Sequence, residues 1–217
     1  MEEFELTFTC KARYFKFGEI NSNTRQIWFV LHGYGQLARY FIRKFALLQE
    51  HNICIIAPEG LSRFYLEDIA SRAQTGNNRV GATWMTKENR LMEIENYIQY
   101  LSDVYRKEIQ LSTIPVTLLG FSQGAATASR WVVSKTSNFQ RIILWAGVFP
   151  PDMDITAGSE IWKNKEVVFV YGKNDPFMTE EHLHEMKILS HKLGIHPAII
   201  AFNGAHELDA STLLKLI

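Results

Sequence analysis

Gly120-Phe121-Ser122-Gln123-Gly124 places a serine between two glycines, straight after the apolar run Val116 to Leu119 and straight before the small, helix-compatible run Ala125-Ala126-Thr127-Ala128. A serine hydroxyl can stand above the end of a sheet only where the chain turns sharply from strand into helix. Glycines permit that turn because a side chain there would collide with neighbouring backbone. A hydroxyl is a poor nucleophile at neutral pH, so Ser122 needs a base to take its proton and a group to orient that base. His206 and Asp175 are the candidates. Gly172-Lys173-Asn174-Asp175-Pro176 follows the apolar run Val167 to Tyr171, and Asn203-Gly204-Ala205-His206 follows Ala198 to Phe202. Each side chain thus falls just beyond the C-terminal end of an expected strand, as Ser122 does.

Taken alone, Asp175 before Pro176 reads equally well as a turn former, and His206 as a helix-start or core histidine. Three such residues at three strand ends favour nucleophile, orienting acid and base over those readings. The other histidines fit less well: His182, His184 and His191 fall in an expected helix, and His196 begins a strand at the wrong end. His184 and His191 share a helix face two turns apart, too far for one ion without further ligands, so neither a metal nor a cofactor is expected.

Attack on a carbonyl builds negative charge on its oxygen, which calls for two backbone N–H donors. Gln123 supplies one by following the serine. The loop His32-Gly33-Tyr34-Gly35, after the apolar run Ile27 to Leu31, supplies the other at the N–H of Tyr34. His32 itself is expected to be buried and structural. Residues 58 to 87 show no convincing periodicity, and an irregular stretch of that length is expected to border the site. Within or beside it, Arg63, Arg72, Arg79 and Arg90 either receive an anionic part of a substrate or are solvated surface. Trp84 either walls an acyl pocket or packs in the core. Trp84 and Arg79 are carried forward as candidate substrate contacts.

Positioning these residues falls to a set of short apolar runs, too short for helices and too continuous for half-exposed strands. Ile27 to Leu31, Ile53 to Ala57, Val116 to Leu119, Ile142 to Trp145, Val167 to Tyr171 and Ala198 to Phe202 read as parallel strands buried on both faces. Leu91, Ile94, Ile98, Leu101 and Tyr105 mark one face of an amphipathic helix. Helices are also expected over 37–50, 123–136, 179–193 and 207–216. Strand and helix in alternation predict an α/β fold: a mostly parallel central sheet with helices on both faces. Residues 4 to 17 alternate, as in Phe4, Leu6 and Phe8, and predict an antiparallel pair at one edge.

Composition narrows the partners. The 217 residues suit a single domain over 1–217. Twenty-three basic residues balance twenty-three acidic ones, so no surface is offered that would release counterions from nucleic acid, and none to hold an anionic membrane. The acidic N-terminus and the absence of a long apolar run predict neither a secretory leader nor a membrane span. Two cysteines, with Cys54 inside an apolar run, indicate no disulfide framework and suit the cytoplasm.

On Leu31-His32-Gly33-Tyr34-Gly35, Gly120-Phe121-Ser122-Gln123-Gly124, Gly172-Lys173-Asn174-Asp175 and Phe202-Asn203-Gly204-Ala205-His206, the chain resembles the phospholipase/carboxylesterase branch of the α/β-hydrolase superfamily, which includes bacterial carboxylesterases and acyl-protein thioesterases. The resemblance implies an α/β-hydrolase fold and hydrolysis of carboxylic esters or thioesters through an acyl-enzyme, with a small-molecule ester expected as substrate. It implies Ser122, Asp175 and His206 as triad and Tyr34 and Gln123 as oxyanion donors. Acyl-protein thioesterases usually carry an acidic residue where Gln36 stands and Trp-Phe-Asp where Trp84-Met85-Thr86 stands, so carboxylic esters come before thioesters. The short stretch from Gly147 to Trp162 predicts no large lid and favours small to medium acyl chains. A thioesterase, a peptidase or amidase on the same triad, and a catalytically silent ligand-binding homologue are the alternatives. A homodimer is compatible with all of these.

Overall fold

The computed structural model describes residues 1–110, 112–153 and 155–217. In chain order the elements are β1 (Tyr14–Phe17), β2 (Gln26–Leu31), α1 (Ala38–Phe41) continued by a 3-10 helix (Ile42–His51), β3 (Ile53–Pro58), β4 (Ser62–Tyr65), α2 (Ile69–Thr75), β5 (Val80–Thr83) and α3 (Arg90–Ile109). Then follow β6 (Val116–Phe121), α4 (Gln123–Val133), β7 (Arg141–Trp145), α5 (Ile155–Trp162), β8 (Glu166–Gly172), α6 (Glu180–Lys192), β9 (Ala198–Phe202) and α7 (Ala210–Leu214).

Seven strands form one sheet in the order β1-β3-β2-β6-β7-β8-β9. Every neighbouring pair is parallel except β1 with β3. The continuous apolarity of the inner strands has a direct cause. In β2, Ile27, Phe29 and Leu31 enter the core on one face while Trp28 and Val30 enter the core on the other. β7 does the same, with Ile142 and Leu144 on the first face and Ile143 and Trp145 on the second. Successive side chains point to opposite faces, and with both faces covered neither set can be polar. Trp131 of α4 and Tyr97 and Leu101 of α3 close one side; Phe41 of α1 and Phe45 and Leu48 of the 3-10 helix close the other.

Five expectations need correcting. Only Tyr14–Phe17 of residues 4–17 is a strand. It pairs antiparallel with β3, while Phe4, Leu6 and Phe8 are exposed with no sheet partner. The helix expected over 37–50 is mostly 3-10, and the helix expected over 207–216 is confined to Ala210–Leu214. The run Ala198 to Phe202 is a parallel strand but the edge of the sheet, so Ile199 is 53% exposed. Residues 58–87 are not irregular: β4 and β5 pair antiparallel as a separate two-stranded ribbon with α2 between them. Gly147 to Trp162 carries the helix α5 rather than a long insertion; Asp154 in that stretch lies outside the described residues.

Candidate active site

Ser122 stands alone between the end of β6 and the start of α4, with φ 54° and ψ −119°. A non-glycine residue there is strained, and such strain persists only when its surroundings over-determine it. They do so here. The Ser122 N–H donates to the carbonyl of Trp145 (2.8 Å), and its own carbonyl accepts from Ala125 N–H (2.9 Å) in the first turn of α4. The glycines have a steric cause. A Cβ on Gly120 would lie 2.2 Å from the Gly124 carbonyl oxygen, and one on Gly124 2.3 Å from that of Leu31. The strand and helix therefore approach more closely than any side chain would allow.

The parallel order puts the C-terminal ends of β6, β8 and β9 on one rim. β9 is three places from β6, roughly 14 Å at normal strand spacing, so the loop after β9 must fold back across the rim. Lys173 N–H donates to Phe202 O (2.8 Å), Asn174 N–H to Gly204 O (3.0 Å), and the Trp145 indole Nε1 to Glu207 O (2.8 Å), which hold it there. As a result His206 Nε2 lies 2.9 Å from Ser122 Oγ, and His206 Nδ1 lies 2.8 Å from Asp175 Oδ2. The Asp175 carboxylate is buried and its other oxygen accepts the Phe177 N–H (2.9 Å). A carboxylate only accepts, so the neutral imidazole carries its proton on Nδ1 and leaves Nε2 free to accept from the serine hydroxyl. Two aromatic rings pack on that imidazole: buried Phe121 and exposed Phe177, with centroids at 5.0 and 4.8 Å.

The loop after β2 is held against this corner from below. A Cβ on Gly33 would lie 3.1 Å from that of Ser122. Gly60 N–H donates to His32 Nε2 (3.0 Å), so the proton of His32 is on Nδ1, which donates to the Gly33 carbonyl (2.8 Å). Gln36 adds a second clamp, its side-chain oxygen accepting Gly33 N–H (2.9 Å) and its own N–H donating to Gly33 O (3.2 Å). With the Gly33 carbonyl turned inward, the planar trans peptide turns the Tyr34 N–H the opposite way. Among the described residues neither Tyr34 N–H nor Gln123 N–H has a protein acceptor. His32 is fully buried, and that burial lowers its imidazole to about 4. It is a neutral prop beneath the loop.

Residues 58–87 border the site by bracing it. The Gln123 side-chain oxygen accepts Trp84 N–H (3.2 Å), and its amide nitrogen donates to Met85 O (2.8 Å). Trp84 stacks on His32 (5.0 Å) and donates its indole N–H to the His32 carbonyl (2.8 Å) while only 1% exposed. Of the two readings of Trp84, the structure gives the packed one. Arg79 is held by Glu67 (2.9 Å) and lines a groove of about 510 Å³ with Tyr40 and Leu66 rather than joining Ser122. The other arginines are engaged as well: Arg63 with Glu59, Arg72 over the Tyr65 ring and Arg90 with Asp152.

The sequence assigned no role at this corner to Gln36, Phe177 or Glu59. The clamp made by Gln36 and the ring contact of Phe177 are visible only once the chain is folded. Glu59 has a fully buried carboxylate that binds Arg13 (2.7 Å) and Arg63 (2.8 Å) and accepts Ala38 N–H (3.2 Å). Burial pushes its carboxyl up, but the hydrogen bonds from the two arginines outweigh this and hold it below the usual range. A charged residue ending an apolar strand was its only signal. Among the described residues no group of three or more His, Cys, Asp or Glu is arranged to hold a metal ion.

A mostly parallel seven-stranded sheet with a serine on a strained turn between its central strand and the following helix defines an α/β-hydrolase. Residues 23–212 match the family model described as Serine hydrolase (FSH1), and the chain belongs to that family. None of the curated proteins compared with the chain matches it. Its fold is similar to that of Zea mays acyl-protein thioesterase 2, with a TM-score of 0.69 at 14% identity over 95% of this chain and 96% of that one. It is similar also to the Bacillus cereus carboxylesterase, with a TM-score of 0.66 at 15% identity over 94% and 91%. Arabidopsis thaliana SOBER1 gives a TM-score of 0.65 at 16% identity over 89% and 96%.

Proposed function

We propose that this serine hydrolase cleaves small-molecule carboxylic esters of small to medium acyl chain through an acyl-enzyme, with Ser122 as nucleophile, His206 as base and Asp175 as the residue that orients it. The observation that carries the reading is the unbroken chain of contacts from Asp175 Oδ2 to His206 Nδ1 (2.8 Å) and from His206 Nε2 to Ser122 Oγ (2.9 Å). As Ser122 Oγ attacks the ester carbonyl, His206 Nε2 takes the hydroxyl proton, and the Asp175 carboxylate stabilises the imidazolium that forms. The charge developing on the carbonyl oxygen is met by the N–H groups of Tyr34 and Gln123, already oriented by His32 and by the elbow, so no reorganisation is needed during reaction. The imidazolium then returns its proton to the departing alkoxide. Water repeats the sequence on the acyl-enzyme and frees the acid.

Thioesters are the second reading, because the same attack expels a thiolate and the maize neighbour is titled an acyl-protein thioesterase. Small to medium acyl groups are supported by the short α5 connection beside the site. The activity rests on a single domain over residues 1–217, since the one large sheet draws its strands from Tyr14 to Phe202. We place the protein in the cytoplasm: both cysteines are free, and no described helix is long and apolar enough to cross a membrane.

The test is steady-state hydrolysis of p-nitrophenyl esters from acetyl to palmitoyl, beside the matching thioesters, by wild type and Ser122→Ala. Wild type is expected to prefer acyl groups up to medium length, and Ser122→Ala to lose roughly 10⁴-fold or more in kcat. Rates rising steadily to palmitoyl would overturn the chain-length reading, and turnover retained by Ser122→Ala would overturn the nucleophile.

A further inference from the structure

Among the described residues, Phe177 is the exposed one of the two phenyl rings packed on the His206 imidazole. It follows Asp175 by two residues, its N–H donates to Asp175 Oδ1 (2.9 Å), and its ring stands edge-on to the His206 imidazole at 4.8 Å and 68°. Even so, the side chain is 64% exposed. Phe177 bonds to Asp175 through its backbone N–H, which any residue but proline supplies, so the phenyl ring is not needed for that contact.

Where the ring sits relates it to one part of a substrate. His206 Nε2 must reach the leaving oxygen to return the proton taken from Ser122, which brings the first carbons of the alcohol over the imidazole. The oxyanion donors, Tyr34 N–H and Gln123 N–H, belong to the loop after β2 and the start of α4. Phe177 belongs to the loop after β8, on the imidazole side of the rim. Resting on the triad reading above, we propose that Phe177 is a specificity residue for the alcohol half of the ester, its exposed ring taking apolar and aromatic leaving groups larger than methanol. Contact with such a group removes apolar surface on both partners from water, whereas a methyl ester ends before it reaches the ring.

The proposal is tested on Phe177→Ala and Phe177→Leu with two ester series: one acyl group on methyl, butyl and benzyl alcohols, and one alcohol on acyl groups of increasing length. In Phe177→Ala the ratio of kcat/KM for the benzyl over the methyl ester is expected to fall about tenfold, the size of a lost apolar contact, with Phe177→Leu between it and wild type. The ratios across the acyl series are expected to stay within twofold. An equal loss on every ester would show a ring that merely props the imidazole and would overturn the proposal, as would a benzyl-to-methyl ratio unmoved by the substitution. Fluorophosphonate labelling of the same preparations separates the two levels. Labelling with a flat alcohol profile defeats the role of Phe177 alone, while no labelling of wild type removes the triad reading and this proposal with it.

Discussion

His32 shows how one buried side chain fixes the orientation of a backbone peptide. Its tautomer is set by Gly60 N–H on Nε2, and its Nδ1 proton holds the Gly33 carbonyl inward, so the Tyr34 N–H of the same planar peptide faces the opposite way. A charged His32 could not accept from Gly60, so the fold requires the neutral form. The linkage has a definite sign. The unfolded imidazole titrates near 6.5 and the folded one near about 4, so between these values the unfolded chain binds a proton that the folded chain refuses. Stability therefore falls as pH drops below 6.5, by up to about 1.4 kcal/mol per pH unit, and above 6.5 this group adds no pH dependence. Urea unfolding at pH 7.5 and 5.0 checks it: wild type is expected to lose roughly 2 kcal/mol more between the two than His32→Gln does. Equal losses would mean that the folded protein accommodates the imidazolium.

At the scale of elements, the strands that carry Ser122 and Asp175 were legible because strands covered on both faces must be apolar at every position; β9, before His206, has the same apolar run but lies exposed at the sheet edge, so its sequence showed the strand and not its place. The elbow was legible because backbone contacts of 2.2 and 2.3 Å leave glycine as the only choice at 120 and 124. The ribbon β4–β5 was not legible. Ser62–Tyr65 is mostly exposed and pairs only with its partner strand, so no face imposes an apolar period on it. The 3-10 form of Ile42–His51 is likewise hidden, since Ile42, Phe45 and Leu48 recur every three residues, a spacing an α-helix shares. Trp84 could not be assigned from sequence because an aromatic beside the active loop reads the same as wall or as core; its indole bond to His32 O decides it. The ribbon's task is to lock the elbow through Gln123, which holds Trp84 N–H and Met85 O. Gln123→Ala leaves that buried N–H without a partner and is expected to cost about 2 kcal/mol, together with a fall in kcat as the start of α4 loosens. A denaturation midpoint equal to wild type would show that the brace is idle.

Across the whole molecule, the sheet brings Ser122 and His206 together from 84 positions apart in the chain. β6 sits at its centre and β9 at its edge, so the imidazole reaches the serine only because the loop from Asn203 to Leu208 doubles back over β7 and β8. Net charge is balanced, so no overall field of one sign steers a charged ligand to the rim. This convergence is expected to make one hydroxyl in the molecule nucleophilic, that of Ser122. Intact-protein mass spectrometry after incubation with a fluorophosphonate, followed by peptide mapping, tests it most directly. One adduct on Ser122 is expected in wild type, none in Ser122→Ala, and labelling slowed by orders of magnitude in His206→Ala. An unlabelled wild-type protein, or an adduct on any other residue, would contradict it.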